Sequence, residues 1–272
     1  MKLGIGSYAY AWAIGGITGQ RPAKPMDAMT FLRRAAALDV HLVQIADNLP
    51  LHTLSDPALD ALLKEAGRLG VAIEVGTRGI QHDTLCTYLR IAGRAGSRIL
   101  RTVIDTADDH PPLAEVVERL RAVMPPFERA GVTLALENHD RFKARELVEI
   151  LRRVDSANLG VCLDTVNSFG ALEGPEVVVE TLGPYVVNLH LKDFSIRRAD
   201  FAMGFVVEGT PAGQGRLNVP RLLDRLRGLS REDFNVILEL WPAPEADIEA
   251  TVRKEDAWAV ASVAYLRALI PE

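Results

Sequence analysis

The stretch LALENHDRFKARELVEILRRVDSANLGVCLDTVNSFGALEGPEVVVETLGPYVVNLHLKDF, residues 134–194, decides the fold. With its flanks it holds apolar, β-branched runs that read as strands over 132–138, 159–165 and 186–192. Between the first two, Leu147, Ile150, Leu151 and Val154 recur at helical spacing and share one face. The runs are nearly continuous in apolar residues, as in parallel strands buried on both sides.

The same alternation extends outward. Further strands are predicted over 2–8, 42–47, 71–76, 99–105 and 235–241. Helix faces are predicted from Ala28, Phe31, Leu32 and Ala35, from Leu59, Leu62, Leu63 and Ala66, and from Ala259, Val263 and Leu266 near 252–269. Gly70 and Gly131 stand where helices end before strands. Asp56-Pro57 and Asn218-Val219-Pro220 read as helix starts with an early proline. Eight strand–helix units in 272 residues imply an α/β fold, a (β/α)8 TIM barrel, as a single domain over 1–272. An open doubly wound sheet would carry a glycine-rich nucleotide turn after its first strand, and SYAYAWAIGG does not spell one. The longest irregular piece is about 193–217, a length that is often functional.

Composition narrows the class. Apolar residues make up 48% and charged residues 25%, as in a soluble globular chain. No apolar run is long enough for a membrane span, and the start MKLGIGSYAY reads as a strand and not as a secretory signal. Cys86 and Cys162 form no disulfide framework, so a cytoplasmic setting is expected. A net charge of -5 argues against a nucleic-acid partner. A homo-oligomer is compatible with all of this.

In a barrel of this kind reactive groups sit at the C-terminal ends of the strands. There the polar residues that interrupt apolar runs are Glu137, Asp164, His190 with Lys192, and Glu239. A buried carboxylate must be paired, protonated or bound to a cation. One Asp or Glu at a strand end is more often a cap or an ion-pair partner. Four such residues on neighbouring strands point instead to a shared divalent ion, which relieves the repulsion of three carboxylates. Three oxygen donors with one nitrogen suit Mn²⁺ first or Mg²⁺, with Co²⁺ and Zn²⁺ also accommodated.

These same pieces, ENH at 137–139, LDTVN at 163–167, HLKD at 190–193 and LEL at 238–240, resemble the xylose-isomerase-like sugar isomerase and epimerase superfamily, which includes the endonuclease IV branch. The resemblance implies that Glu137, Asp164, His190 and Glu239 bind the catalytic metal, and that Glu137 and Glu239 serve as an acid/base pair. The expected reaction is isomerisation or epimerisation of a keto sugar through a metal-stabilised enediolate. The alternative is decarboxylation of a 3-oxo sugar acid, which passes through the same enediolate. QIADNLPLH at 44–52 resembles the branch that holds a decarboxylase of an apiose-derived acid such as oxo-isoapionate. The endonuclease branch has a histidine where Asn167 stands and a D-x-H pair that DFSIRRADFAM lacks, which makes it the weaker fit. His82 matches one of its ligands or is a lone rim histidine. A sugar-binding barrel without turnover would leave both glutamates idle. One ion per chain would favour the sugar enzyme and three the nuclease.

Other polar residues are candidate substrate contacts. Arg101 could grip a carboxylate or phosphate, or pair with Glu74 or Asp105. Lys192 shares the side of His190 and could bind a substrate oxygen, or balance Asp193 or Glu137. His139 could touch substrate or orient a ligand, or sit in water at the rim. Asn167 could donate to a ligand or serve a turn. Arg216 could reach an anion from the glycine-rich 208–218 loop, which is otherwise a lid or a plain connection. Tyr8, Tyr10 and Trp12 could wall the substrate or pack as core. Gln44 and Glu74 are expected to line the same mouth.

Overall fold

In this computed structural model, residues 1–15, 19–201, 203–230 and 233–271 are described. The strands in chain order are β1 Leu3–Gly6, β2 Leu42–Ile45, β3 Ala72–Arg78, β4 Ile99–Val103 and β5 Thr133–Glu137. They continue with β6 Leu159–Asp164, β7 Val186–Leu191, β8 Asp193–Arg198, β9 Phe205–Thr210 and β10 Asn235–Leu238. The helices are α1 Ala11–Ile14, α2 Ala28–Ala37, α3 Asp56–Leu69, α4 His82–Ala95 and α5 Leu113–Ala130. Then come α6 Ala144–Val154, α7 Pro175–Leu182, α8 Val219–Leu229 and α9 Ile248–Arg267.

Eight parallel strands close in the order β1-β10-β7-β6-β5-β4-β3-β2, the (β/α)8 barrel that the alternation implied. Residues of one parity, among them Val43, Val75, Leu134, Leu163 and Leu189, are fully buried apolar side chains of the main core. The other parity carries a polar interior of Gln44, Glu74, Arg101, Glu137, Asp164, Asn188, His190 and Glu239, all buried. Burying so many polar groups is tolerable only because they pair with one another.

The predicted helix faces are the buried ones: Phe31, Leu32 and Ala35 on α2, Leu147, Ile150 and Leu151 on α6, and Ala259, Val263 and Leu266 on α9. Gly70 and Gly131 close α3 and α5 in the left-handed conformation, with φ 66° and 63°. Ser55, one residue before the expected Asp56, caps α3. Asn218 caps α8 by accepting from Arg221 N.

Two expectations need correction. The first strand stops at Gly6, because Ser7 turns off it: its Oγ accepts from Ala46 N at 2.9 Å and donates to Asn48 Oδ1 at 2.5 Å. The stretch 193–217 is not irregular. β8 and β9 pair as an antiparallel hairpin from Asp193↔Thr210 to Arg198↔Phe205. Its return is pinned by the Asp193 carboxylate, which accepts the N–H groups of Gly213 at 2.9 Å, Gly215 at 3.0 Å and Leu217 at 3.0 Å. Those glycine N–H groups thus hold the chain's own anion. A Cβ on Gly215 would lie 2.1 Å from Asp193 Oδ1, so only glycine fits there.

α9 fastens the first βα loop. Glu255 is fully buried and accepts from Trp12 N at 3.0 Å and Ala13 N at 2.9 Å. Tyr10 donates to Asp256 and Trp12 Nε1 to Pro242 O, so Tyr10 and Trp12 pack as core, while Tyr8 stays half-buried. Burial pushes the Glu255 carboxyl up to about 7, against the pull of the two N–H donors. Its folded value exceeds the usual 4.5, so folding favours the protonated form. That stability is whole below about pH 4.5 and is lost as pH rises through about 7, a span worth about 3 kcal/mol. Thermal denaturation from about pH 5 to about pH 8 is therefore expected to show a steeper loss for the wild type than for Glu255→Gln. Parallel curves would remove Glu255 as the source of the slope.

Candidate active site

The mouth brings the four expected ligands together. Glu137 ends β5, Asp164 ends β6, His190 is the penultimate residue of β7, and Glu239 directly follows β10. None is more than 2% exposed. His190 Nδ1 lies 3.2 Å from Glu137 Oε2 and 3.3 Å from Glu239 Oε1. Donor atoms of Asp164, His190 and Glu239 all fall within 4.8 Å of one another, as do those of Glu137, Cys162 and His190.

Local sequence explains the aim of each side chain. In LDTVN the backbone turns after Asp164, so that Val166 N and Asn167 N both donate to Asp164 Oδ1 at 2.8 Å. Asn138 clamps the same turn, accepting from Asp164 N at 2.7 Å and donating to Asp164 O at 2.9 Å. Oδ2 is thereby left facing the site. Asn167 Nδ2 donates to Glu137 Oε1 at 2.7 Å, so this residue orients a candidate ligand. Gly6 gives Glu239 its room: a Cβ there would lie 3.1 Å from Glu239 Cγ. Asp164 Oδ2, His190 Nδ1 and both Glu239 carboxylate oxygens are buried and make no hydrogen bond among the described residues. Two buried carboxylates whose free oxygens meet only the Lys192 ammonium and His190, that imidazole, and Glu137 beside it form an oxygen-rich donor set with one nitrogen, which fits a divalent cation.

Two cations flank the set, Arg101 buried and Lys192 half-buried. Arg101 meets neither Glu74 nor Asp105, whose partner is Arg141. Its guanidinium pairs with Glu137, with Asp47 Oδ1 at 2.9 Å and with Thr77 O at 3.0 Å. At 2% exposure its guanidinium is engaged by the protein's own oxygens through Nε and Nη1. Burial alone would raise the Glu137 carboxyl, but Arg101, helped by His190, holds it well below the usual range. Lys192 Nζ lies 2.8 Å from Asp164 Oδ2 and 3.0 Å from Glu239 Oε2, and not against Asp193 or Glu137. Burial works against its charge, and the carboxylates of Asp164, Glu239 and Glu137 outweigh it and hold the ammonium charged.

His139 sits at the rim with Nδ1 3.0 Å from Asp140 Oδ2. Arg216 is not at the mouth. It is exposed and lines a hollow of about 800 Å³ between α7 and α8, together with Arg221 and Arg225. The hairpin carries it outward, which the loop's composition could not indicate. A smaller hollow of about 300 Å³ does adjoin the ligands, lined by Asn167, Lys192, Val166, Phe169, Val207 and Trp241. His82 is an exposed residue beside Asp83 and Cys86 on α4.

Several residues of the site were not singled out from sequence. Asp47, in QIADN, gathers Arg101, Arg78 and Tyr8 at 2.9, 3.2 and 3.0 Å. Cys162 lies on the Asp164 side of β6, two residues earlier, so strand parity was the available signal. Burial pushes its thiol up to about 11, which makes it a poor ligand near neutral pH. Gln44 and Glu74 lie beneath the mouth and not at it: Gln44 Oε1 is 2.6 Å from His190 Nε2, and Glu74 bonds to Asn235 at the start of β10.

Comparison with known proteins adds to this geometry. The family model for the xylose isomerase-like TIM barrel matches residues 32–269. A 3-oxo-isoapionate decarboxylase of Pectobacterium atrosepticum is 35% identical over 266 residues, 98% of this chain and 95% of the relative. Among solved structures, D-psicose 3-epimerase of Clostridium cellulolyticum with D-tagatose superposes with a TM-score of 0.74 at 18% identity, covering 99% of both chains. A xylose isomerase-like TIM barrel protein of Mycobacterium smegmatis, in complex with magnesium, superposes with a TM-score of 0.67 at 15% identity, covering 97% of both. At these identities the two structures share the fold.

Proposed function

Because the chain belongs to the xylose isomerase-like TIM-barrel family, we propose that it is a divalent-metal-dependent decarboxylase of a 3-oxo sugar acid of the 3-oxo-isoapionate class. The relative that covers nearly the whole chain supports this choice over a ketose epimerase. So does one observation at the site: each glutamate of the expected acid/base pair lies against a cation, the buried Arg101 on Glu137 and Lys192, shared with Asp164, on Glu239.

Epimerisation requires one carboxylate to take a proton from carbon and another group to return one. A carboxylate held as an anion by a fixed guanidinium is a weak base. Loss of carbon dioxide needs no base. The bond between the carboxyl carbon and C2 breaks, its electron pair stays on C2 and the 3-oxo oxygen as an enediolate, and one proton from water completes the hydroxy-ketone. In this reading Glu137, Asp164, His190 and Glu239 are the ligands of one cation, Mn²⁺ in the first place. That cation would polarise the 3-oxo group. Lys192 supplies a fixed positive charge for the oxygen on which the electron pair accumulates. Phe169, Val207 and Trp241 form the apolar wall of the adjoining hollow, which suits a small carbohydrate.

The test is direct. Mn²⁺-loaded protein is incubated with 3-oxo-isoapionate, with related 3-oxo sugar acids and with 3-epimerisable ketoses, following carbon dioxide and solvent-deuterium uptake. Carbon dioxide release from an acid is expected, with no exchange in the ketoses. Deuterium exchange into a ketose without decarboxylation of any acid would replace this reading with the epimerase one.

A further inference from the structure

Beneath the four proposed ligands lies a second, wholly polar layer that the reaction does not use. Glu74 on β3 accepts three amide N–H groups: Asn235 Nδ2 at 2.7 Å, Asn188 Nδ2 at 2.9 Å and Gln44 Nε2 at 3.1 Å. The Gln44 amide nitrogen also donates to Asn188 Oδ1 at 3.1 Å. Both of its hydrogens are therefore engaged, and its oxygen faces His190 Nε2 at 2.6 Å. An amide oxygen only accepts, so the His190 hydrogen sits on Nε2. In the neutral ring that a metal would bind, Nδ1 is then the nitrogen left with a lone pair, and it faces the ligand cluster, 3.2 Å from Glu137 and 3.3 Å from Glu239.

We infer that Glu74 is a positioning residue whose carboxylate sets the orientation of the Gln44 amide and, through it, the His190 tautomer and the nitrogen offered to the metal. The inference rests on the proposed metal site. The logic is that of acceptor against donor. A carboxylate cannot donate, so all three amides must turn their NH₂ groups toward it. Glutamine at 74 could present either end. The Gln44 amide would then be free to turn over and place NH₂ against His190, which would move the imidazole hydrogen to Nδ1 and block coordination. QIADN thus acquires a role for its first residue, and a polar layer far from substrate acquires one for its charge.

The experiment uses the full chain. Mn²⁺ affinity is measured by titration calorimetry, and the His190 tautomer by ¹⁵N–¹H correlation of imidazole nitrogens in the Mg²⁺-loaded protein. Glu74→Gln is expected to weaken Mn²⁺ binding by about 10- to 100-fold and to deplete the Nε2–H form, with an unchanged circular dichroism spectrum. The double variant Gln44→Glu, Glu74→Gln puts the carboxylate directly against His190 Nε2–H and keeps the layer's composition. It is expected to recover the affinity and the tautomer, and it answers the question even where Glu74→Gln folds poorly. Wild-type affinity in Glu74→Gln, or a double variant no better than a weakened single one, overturns the inference and leaves the metal site standing. A wild-type chain that takes up no Mn²⁺ overturns both.

Discussion

Lys192→Met is expected to bind Mn²⁺ more tightly than the wild type and yet to release carbon dioxide about 10²- to 10³-fold more slowly. The two signs come from one geometry. The ammonium lies 2.8 Å from Asp164 Oδ2 and 3.0 Å from Glu239 Oε2, oxygens that are also proposed to hold the metal. A divalent cation competes with Lys192 for them, so removing the lysine removes a competitor. The chemical step loses instead a preorganised charge beside the oxygen that becomes negative. Such a charge is worth far more in a buried site than in water. Calorimetry with Mn²⁺ gives the first sign and kcat for carbon dioxide release the second. A variant whose KM alone rises would reduce Lys192 to a uniform binding contact. One that binds Mn²⁺ more weakly would mean that the lysine supports the ligands and does not compete with them.

The polar cluster proposed to hold the metal was legible in the sequence because two simple regularities locate it. Side chains alternate along a strand, and barrel chemistry collects at strand ends. Glu137, Asp164, His190 and Glu239 each interrupt an apolar run at such an end, and in the structure Asp164, His190 and Glu239 group together while Glu137 joins them through His190. What the regularities do not contain is the stagger of the strands round the ring. Closing a barrel tilts the strands and offsets their levels. For that reason Gln44 and Glu74, expected at the mouth, lie one layer down, where Glu74 reaches Asn235 at the start of β10. The same stagger brings Asp47, just beyond β2, within 2.9 Å of Arg101 on β4, a pairing that adjacency in sequence cannot suggest. The hairpin was illegible for another reason. DFSIRR and FVVEGT alternate only weakly, and their pairing depends on Asp193 collecting three backbone N–H groups from the glycine-rich return. Arg216 rides on that return and so leaves the site.

Charge balance links the cations to the ligands. Glu137, Asp164 and Glu239 face Arg101 and Lys192 inside a buried space, and the imidazole of His190 lies between two of the carboxylates. Fixed positive charge does not complete the set when Lys192 is displaced. The proposed metal would do so, and it should then be thermodynamically coupled to the two side-chain cations.

Arg101→Met measures that coupling through stability. The guanidinium is buried between Glu137 and Asp47 and also donates to Thr77 O, so its loss strands a buried carboxylate on Glu137. Asp47 keeps Arg78 at 3.2 Å and the Tyr8 hydroxyl at 3.0 Å. Breaking a buried pair from one side costs about 3–5 kcal/mol, which in a chain of this size lowers the Tm by on the order of 10 °C. With saturating Mn²⁺ the deficit is expected to shrink, because a cation on Glu137 restores the missing charge, and a ligand that binds only the folded state stabilises it. Arg101→Lys keeps a charge but not the fork that spans two carboxylates, and it should fall between the wild type and Arg101→Met. Thermal melts of the three proteins with and without Mn²⁺ decide the matter. If the metal raises the Tm of Arg101→Met no more than it raises that of the wild type, Glu137 does not hold the ion, and the four-ligand site reduces to Asp164, His190 and Glu239.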